Sequence, residues 1–433
     1  MTRPLISYYG DDFTGSTDVM EALASNGVET VLFLDVPDAD LLSRFAGARA
    51  FGLAGTSRSE TPDWMDVHLR ATFSWLKTLD AALCHYKVCS TFDSAPHVGN
   101  IGRAIEIGRA VFGKATVPLI VGAPQIRRYT AFGELFAAYQ GRNYRIDRHP
   151  VMARHPVTPM DEANLLLHLS RQTTLSSALI DMVALLAGLQ PEDADILLID
   201  VLDAATQAAA GALLWNRLRE RSRFACGSSG LEYALIPTWR EQGLIGEKPG
   251  FPAAGPVDRI AVVSGSVSPT TERQIRHALE NGFAGVTLDP LALSGEGSEA
   301  AVEAAVEAGL GVLREGRSVV LYTALGPAAD RGGALDSSTG ARHRLGRALG
   351  RIQSELVARA GLARAVVAGG DTSSHALGEM GIAALTLKMP LPQTPGSPLC
   401  IAHGGAADGL EIALKGGQVG GDDYFSMIRA GRA

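Results

Sequence analysis

Hydrophobic positions along this chain follow two alternating periods: short apolar runs, and stretches in which they recur every three or four residues. Residues 5–9 form a short apolar run suited to a buried strand, and Val19, Met20, Leu23 and Ala24 then fall on one face of a helix. Residues 28–34 alternate well, so 5–34 reads as one βαβ unit. The rhythm continues with strands over 48–54, 86–89, 118–121 and 195–201 and helices over 62–82 and 204–219. Residues 142–160, rich in Arg, His and Pro, read as an irregular excursion. Residues 240–258 hold three prolines and four glycines, the natural place for a linker. Beyond it come strands over 259–263, 286–288, 318–322, 365–368 and 410–414, with helices over 272–281 and around 299–313. The pattern predicts an α/β fold of two domains, 1–239 and 259–433, with largely parallel sheets and an active-site cleft between them.

Composition narrows the classes. A chain of 433 residues, 46% hydrophobic and 20% charged, exceeds one ordinary core and can bury a large interior. A net charge of −7 argues against nucleic acid or an anionic membrane as main partner and leaves small molecules, with local basic spots such as Arg127-Arg128 able to hold a small anion and a homo-oligomer compatible. Cys84, Cys89, Cys226 and Cys400 show neither a CxxC pair nor metal-finger spacing, so they read as thiols of a reducing compartment. No signal-peptide core follows Met1, and no apolar run approaches the roughly 18 residues a bilayer span needs. The expected location is the cytoplasm.

Candidate chemistry sits in the turns after strands, which share one edge of a parallel sheet. In the first half these are Asp11-Asp12, Thr56-Ser57-Arg58, Ser90 to Ser94 and Gly122-Ala123-Pro124. Alternation along an extended chain predicts that Asp11 and Asp12 point different ways, with Thr14, Ser16 or Thr17 capping the helix. The planar fork of Arg58 suits a substrate carboxylate or phosphate. Asp93, beside Ser90 and Ser94, suits substrate hydroxyls or a proton acceptor. Gly99-Asn100-Ile101-Gly102 opens a helix whose N–H groups suit an anion. His149, His155 and His168 lack a tight metal spacing. In the second half, Ser264-Gly265-Ser266, Gly369-Gly370-Asp371-Thr372 and Lys415-Gly416-Gly417 expose N–H and hydroxyl groups of the kind phosphates use. Asp371 beside a phosphate implies Mg²⁺ or a ribose contact. Each motif alone reads equally well as a capped turn. Neither GxxxxGK[ST] nor GxGxxG occurs. Together the turns describe an enzyme that brings a nucleotide to a small polar substrate.

In these residues the chain resembles the four-carbon acid sugar kinases. The matching motifs are Asp11 to Gly15, Ser57-Arg58, Tyr86 to Ser94 with Gly99 to Gly102, His155 to Met160, Ser264 to Ser266, Gly369 to Thr372, and Leu414 to Gly417. They keep the family's order and span almost the whole chain. The resemblance implies an N-terminal domain for a sugar acid and a C-terminal domain for ATP with Mg²⁺. Asp11, Asp12, Arg58, Ser90, Asp93 and Ser94 would then meet substrate, and Ser266, Gly369, Gly370, Asp371, Thr372 and Gly417 would meet nucleotide. Asp12 is the expected base, with Asp93 as rival. Two departures stand out: Asp371 where the family often has Glu, and Gly416-Gly417-Gln418-Val419-Gly420 in place of an Asn-Phe-Gly ending. The Ser90–Ser94 loop is similar to the branch acting on 3-oxo acids. The expected substrate order is 3-oxo-isoapionate, then 3-oxo-tetronate, then threonate or erythronate, with phosphate going to the terminal 4-hydroxyl. A non-catalytic solute-binding protein and a nicotinamide-dependent dehydrogenase are the rival classes.

Overall fold

The computed structural model describes residues 3–190, 192–295, 297–329, 340–394, 396–417 and 419–432. The chain divides into two compact units, Met1–Leu32 with Val36–Pro249 and Phe33–Asp35 with Gly250–Ala433. Both are α/β, with mostly parallel strands and helices between them.

The first unit carries β1 (Ile6–Gly10), β2 (Thr30–Phe33), β3 (Ala50–Ala54), β4 (Leu83–Lys87), β5 (Val117–Ile120), β6 (Arg128–Ala131), β7 (Glu134–Tyr139), β8 (Arg142–Arg145), β9 (Ser177–Ile180), β10 (Ile196–Ile199) and β11 (Phe224–Gly227). Its main sheet runs β2-β3-β1-β4-β11-β5-β10-β9. β1 pairs in parallel with both β3 and β4, so the winding reverses at β1. Such a reversal opens a crevice beyond the carboxyl ends of the strands. Every residue of β1 and β4 is buried, as expected for parallel strands covered on both faces.

β6, β7 and β8 form a separate antiparallel meander that the polar pattern of residues 128–145 did not announce. Its turns place Phe132 and Gly133 at φ 53° and 78°, and Gln140 and Gly141 at 46° and 83°. Two successive positive φ values make the tight hairpin turn that matches strand twist. The residues read as an irregular excursion therefore begin with a strand, Arg142–Arg145, and continue in two short 3₁₀ turns, Ile146–Arg148 and Met152–Arg154.

The second unit carries β12 (Ala261–Ser264), β13 (Ala284–Thr287), β14 (Val319–Tyr322), β15 (Arg364–Ala368), β16 (Ala384–Met389), β17 (Leu399–His403) and β18 (Glu411–Lys415) in the order β13-β14-β12-β15-β18-β17-β16. β17 pairs antiparallel with both β16 and β18, whereas the pairs from β13 to β18 by way of β12 and β15 are parallel. Val262, Ile275, Val320, Val366, Ala413, Tyr424 and Phe425 share one buried cluster beneath this sheet. Here too the first strand, β12, lies at the winding reversal.

Candidate active site

Arg58 organises the charged edge of the first unit. Its Nε and Nη2 donate to the two carboxylate oxygens of Asp11 at 3.1 and 2.8 Å, and Nη1 donates to Asp12 Oδ2 at 2.9 Å. Asp11 and Asp12 thus converge on one guanidinium, where alternation alone predicted divergence. The fork expected to hold a substrate anion is already filled by Asp11. Burial works against the charge of Arg58, but Asp11 and Asp12 outweigh it and hold the guanidinium well above its ordinary pKa.

Asp12 has a second task. Its Oδ1 accepts from Gly15 N at 2.7 Å, so Asp12 itself, and none of Thr14, Ser16 or Thr17, caps helix Phe13–Ala24. Its side chain keeps 28% exposure against 5% for Asp11. Two tyrosines support the Thr56–Arg58 turn. Tyr86 Oη bonds Ser57 Oγ at 3.0 Å, and Thr56 N donates to Tyr9 Oη at 3.3 Å. Gly99, at φ 59°, packs so closely on Arg58 that a Cβ there would lie 2.5 Å from the Arg58 carbonyl oxygen.

The Ser90–Ser94 loop divides in two. Asp93 accepts from Thr91 Oγ1 at 2.5 Å and from Thr158 Oγ1 at 3.3 Å, and Thr158 Oγ1 also lies 3.0 Å from His155 Nδ1. Burial would raise the Asp93 carboxyl, but Arg58, Thr91 and His155 prevail and keep it below the usual carboxylate range. Phe92 sits at φ 56°, a strained backbone for an aromatic residue and a frequent mark of a functional loop. Ser94 turns inward instead. Its hydroxyl bonds Phe92 O at 3.1 Å, His168 Nε2 at 2.9 Å and Gln172 Nε2 at 2.8 Å, which removes it from the candidate donors. The Ser90 hydroxyl has no chain partner among the described residues.

The helix start at Ile101 departs from the expected anion cradle. Gln172 Oε1 accepts from Ile101 N and Gly102 N at 2.8 and 3.4 Å, while Asn100 accepts from Arg103 N. Those N–H groups are occupied.

In the second unit, the turns after β12, β15 and β18 lie side by side because the three strands are neighbours. Ser266 Oγ bonds Thr271 Oγ1 at 3.0 Å, and Thr271 Oγ1 lies 3.3 Å from Gly417 O. Gly369, at φ 124°, precedes helix Gly370–Glu379, and a Cβ on Gly370 would meet open space. Asp371 and Thr372 lie in this helix, their side chains outside the described set, as is Gln418. Backbone donors beside unfilled space fit the phosphates of a nucleotide.

Two lysines that the sequence reading named only as members of motifs, with no role of their own, are buried at strand ends. Each is the last residue of its strand, β4 or β18, and each is buried, Lys87 at 2% and Lys415 at 0% exposure. Lys415 Nζ donates to Thr271 Oγ1 at 3.0 Å and Gly416 O at 2.7 Å, and burial lowers its pKa to about 8. Lys87 Nζ lies against Gly15 beside Asp12 and acts electrostatically on Asp11 and Asp18. The available signal was a lysine as the last residue of a short, largely apolar strand. Cys89, near Arg58, Asp93 and Lys87, is pushed up by burial and is no thiolate nucleophile.

Two family models match the chain. Residues 6–235 match a sugar-binding N-terminal domain and residues 261–425 a nucleotide-binding C-terminal domain. The chain is 47% identical over 447 aligned residues to a 3-oxo-isoapionate kinase of Paraburkholderia graminis, covering 99% of this chain and 94% of that one. It is 30% identical to a 3-oxo-tetronate kinase of Cupriavidus necator, covering 98% and 96%. A crystal structure from Salmonella typhimurium LT2, provisionally described as a tRNA synthase, superposes with a TM-score of 0.78 at 27% identity and covers 99% and 98%. The chain belongs to the four-carbon acid sugar kinase family. It is therefore a kinase, with ATP as the phosphoryl donor.

Proposed function

We propose that this kinase phosphorylates the terminal 4-hydroxyl of 3-oxo-isoapionate. The observation that carries the reading is 47% identity along nearly the whole chain to a kinase of that name, against 30% to a 3-oxo-tetronate kinase. A carboxylate edge in one unit and phosphate-suited turns in the other supply what such a transfer needs.

Phosphoryl transfer demands in-line positioning, charge neutralisation and a group to orient or accept the hydroxyl proton. Asp12 is the best placed acceptor. It is the more exposed of the Arg58-bound carboxylates, and Arg58 and the Gly15 N–H fix its position. Asp93 is less basic because of its surroundings and serves better as a fixed acceptor for substrate hydroxyls. Ser90 is left to donate to the 3-oxo oxygen. Ser266, Gly369, Gly370 and Gly417 would hold the nucleotide, with Asp371 and Thr372 on the same helix start and Lys415 as a positive charge beneath. Mg²⁺, when bound with ATP, would neutralise phosphate charge.

The test is ATP-dependent ADP release with 3-oxo-isoapionate, 3-oxo-tetronate, threonate and erythronate. The highest kcat/KM should fall on 3-oxo-isoapionate. Preference for threonate or erythronate over both oxo acids would remove this chain from the oxo-acid branch.

A further inference from the structure

Filling the Arg58 fork with Asp11 leaves a sugar acid without its expected counter-ion, and the structure offers another. Arg128 opens β6, just after the turn that follows β5. Backbone bonds Ala123 N to Arg128 O at 2.9 Å and Arg128 N to Ala123 O at 3.1 Å pin it to the same strand edge that carries Asp11, Arg58 and the Ser90–Ser94 loop. Its guanidinium has no carboxylate partner among the described residues. Nη1 donates to the carbonyls of Ile126 and Arg127 at 3.0 and 3.3 Å, whereas Nε is buried with no acceptor. Nη2 bonds no chain atom and is not enclosed.

Arg58 and Lys87, two other cations of this edge, already have carboxylates, and Arg127 spends its Nη2 on Gly141 O at 3.2 Å at an exposed position. Arg58 has Asp11 and Asp12. Lys87 has Asp11 and Asp18 within electrostatic reach. Arg128 lies within electrostatic reach of Cys89, a thiol also within reach of Arg58, Lys87 and Asp93. Arg127 beside it adds repulsion, and burial disfavours its charge. Arg49 and Arg259 also bury an unpartnered Nε, but both lie just before their strands, β3 and β12, at the amino-terminal edge. A half-buried guanidinium without a counter-charge is destabilising unless an anion completes it.

We propose that Arg128 is the receptor for the substrate carboxylate. The assignment rests on the sugar-acid kinase reading and adds to it the residue that selects for an acid. One consequence separates it from a structural arginine. Removing an unsatisfied charge should leave the ligand-free protein as stable or more stable, while removing a structural ion-pair partner would lower its stability.

The experiment is calorimetric binding of 3-oxo-isoapionate to the ATP-free protein, for wild type, Arg128→Gln and Arg128→Lys, beside ligand-free melting and steady-state kinetics. Loss of a charge-assisted contact should weaken acid binding of Arg128→Gln about 10²-fold, with partial recovery in Arg128→Lys. KM for ATP and the ligand-free Tm should hold. The preference of wild type for the acid over its neutral primary amide should shrink toward unity in Arg128→Gln. Unchanged acid binding, a raised KM for ATP alone, or a lowered ligand-free Tm would each overturn the assignment. Wild type that binds the acid through Arg128 but releases no ADP would leave the receptor standing and sink the kinase reading.

Discussion

The two units wind their first four strands in the same order, β2-β3-β1-β4 and β13-β14-β12-β15, and place opposite chemistry at the same point. After β1 the helix is capped by a carboxylate, Asp12, which accepts from Gly15 N. After β12 the helix is capped by a neutral hydroxyl, Ser268, which accepts from Thr270 N at 3.1 Å. A helix amino terminus favours negative charge. The first unit meets that preference with its own anion, so an incoming phosphate gains little there and meets repulsion. The second leaves the position uncharged and sets buried Lys415 nearby, so a ligand can supply the anion. On the proposed reading, one winding yields a proton-handling edge or a phosphate-holding edge, according to whether the cap is charged.

The comparison breaks most readily at Asp12. Asp12→Asn keeps a capping oxygen but abolishes the charge. It should lower kcat by about 10²–10⁴-fold, the usual effect of losing a general base, with little change in KM for ATP. Wild-type kcat in this variant would pass the role to Asp93.

Lys415 sharpens the other side through pH. Its folded-state pKa of about 8 lies below the unfolded lysine value of about 10.4. Below about pH 8 both states hold the proton and this group adds no pH dependence to stability. Between about 8 and 10.4 only the unfolded chain holds it, so the group's contribution to stability rises with pH. Nucleotide binding should move the opposite way. KM for ATP should climb roughly fivefold as pH passes 8, the equivalent of about 1 kcal/mol of lost attraction. The step should vanish in Lys415→Met. A step of equal size in that variant would assign it to another group.

The smallest effect on activity belongs to Ser94. Ser94→Ala leaves His168 and Gln172 without their buried partner and should cost about 1–3 kcal/mol of stability, seen as a lower Tm. kcat/KM for the oxo acid should stay within about twofold, since surface-remote structural losses rarely reach chemistry when the fold survives. A selective rise in KM for the oxo acids would return Ser94 to the substrate.

β3 was legible because a parallel strand buried on both faces reads as a continuous apolar run. β4, read as 86–89, runs Leu83–Lys87 and was caught only at its end because His85 and Lys87 interrupt the apolar pattern. The turns after them were legible because strand ends collect Asp, Ser and Gly. β6 to β8 were not, since their hairpins turn at Phe132-Gly133 and Gln140-Gly141, where a sequence reading looks for Asn-Gly. The excluded candidates share one cause. Whether Arg58 or Ser94 is free depends on partners 46 or more residues away, Asp12 and Asp11 for one and His168 and Gln172 for the other. Composition at a turn cannot show that. Lys87 was overlooked for the converse reason, because a charged residue next to a strand ordinarily reads as solvent-facing, while Arg128 was legible only as half of a basic spot and Lys415 only as part of a Gly-rich turn.

The approach of Gly99 to the Arg58 carbonyl ties two distant positions into a single mechanical unit. Any side chain at 99 would shift the backbone that aims Arg58 and so disturb Asp11 and Asp12 together. On the proposed reading, a change of sugar acid would be engineered more readily at Ser90, whose hydroxyl has no chain partner among the described residues, than at this pair.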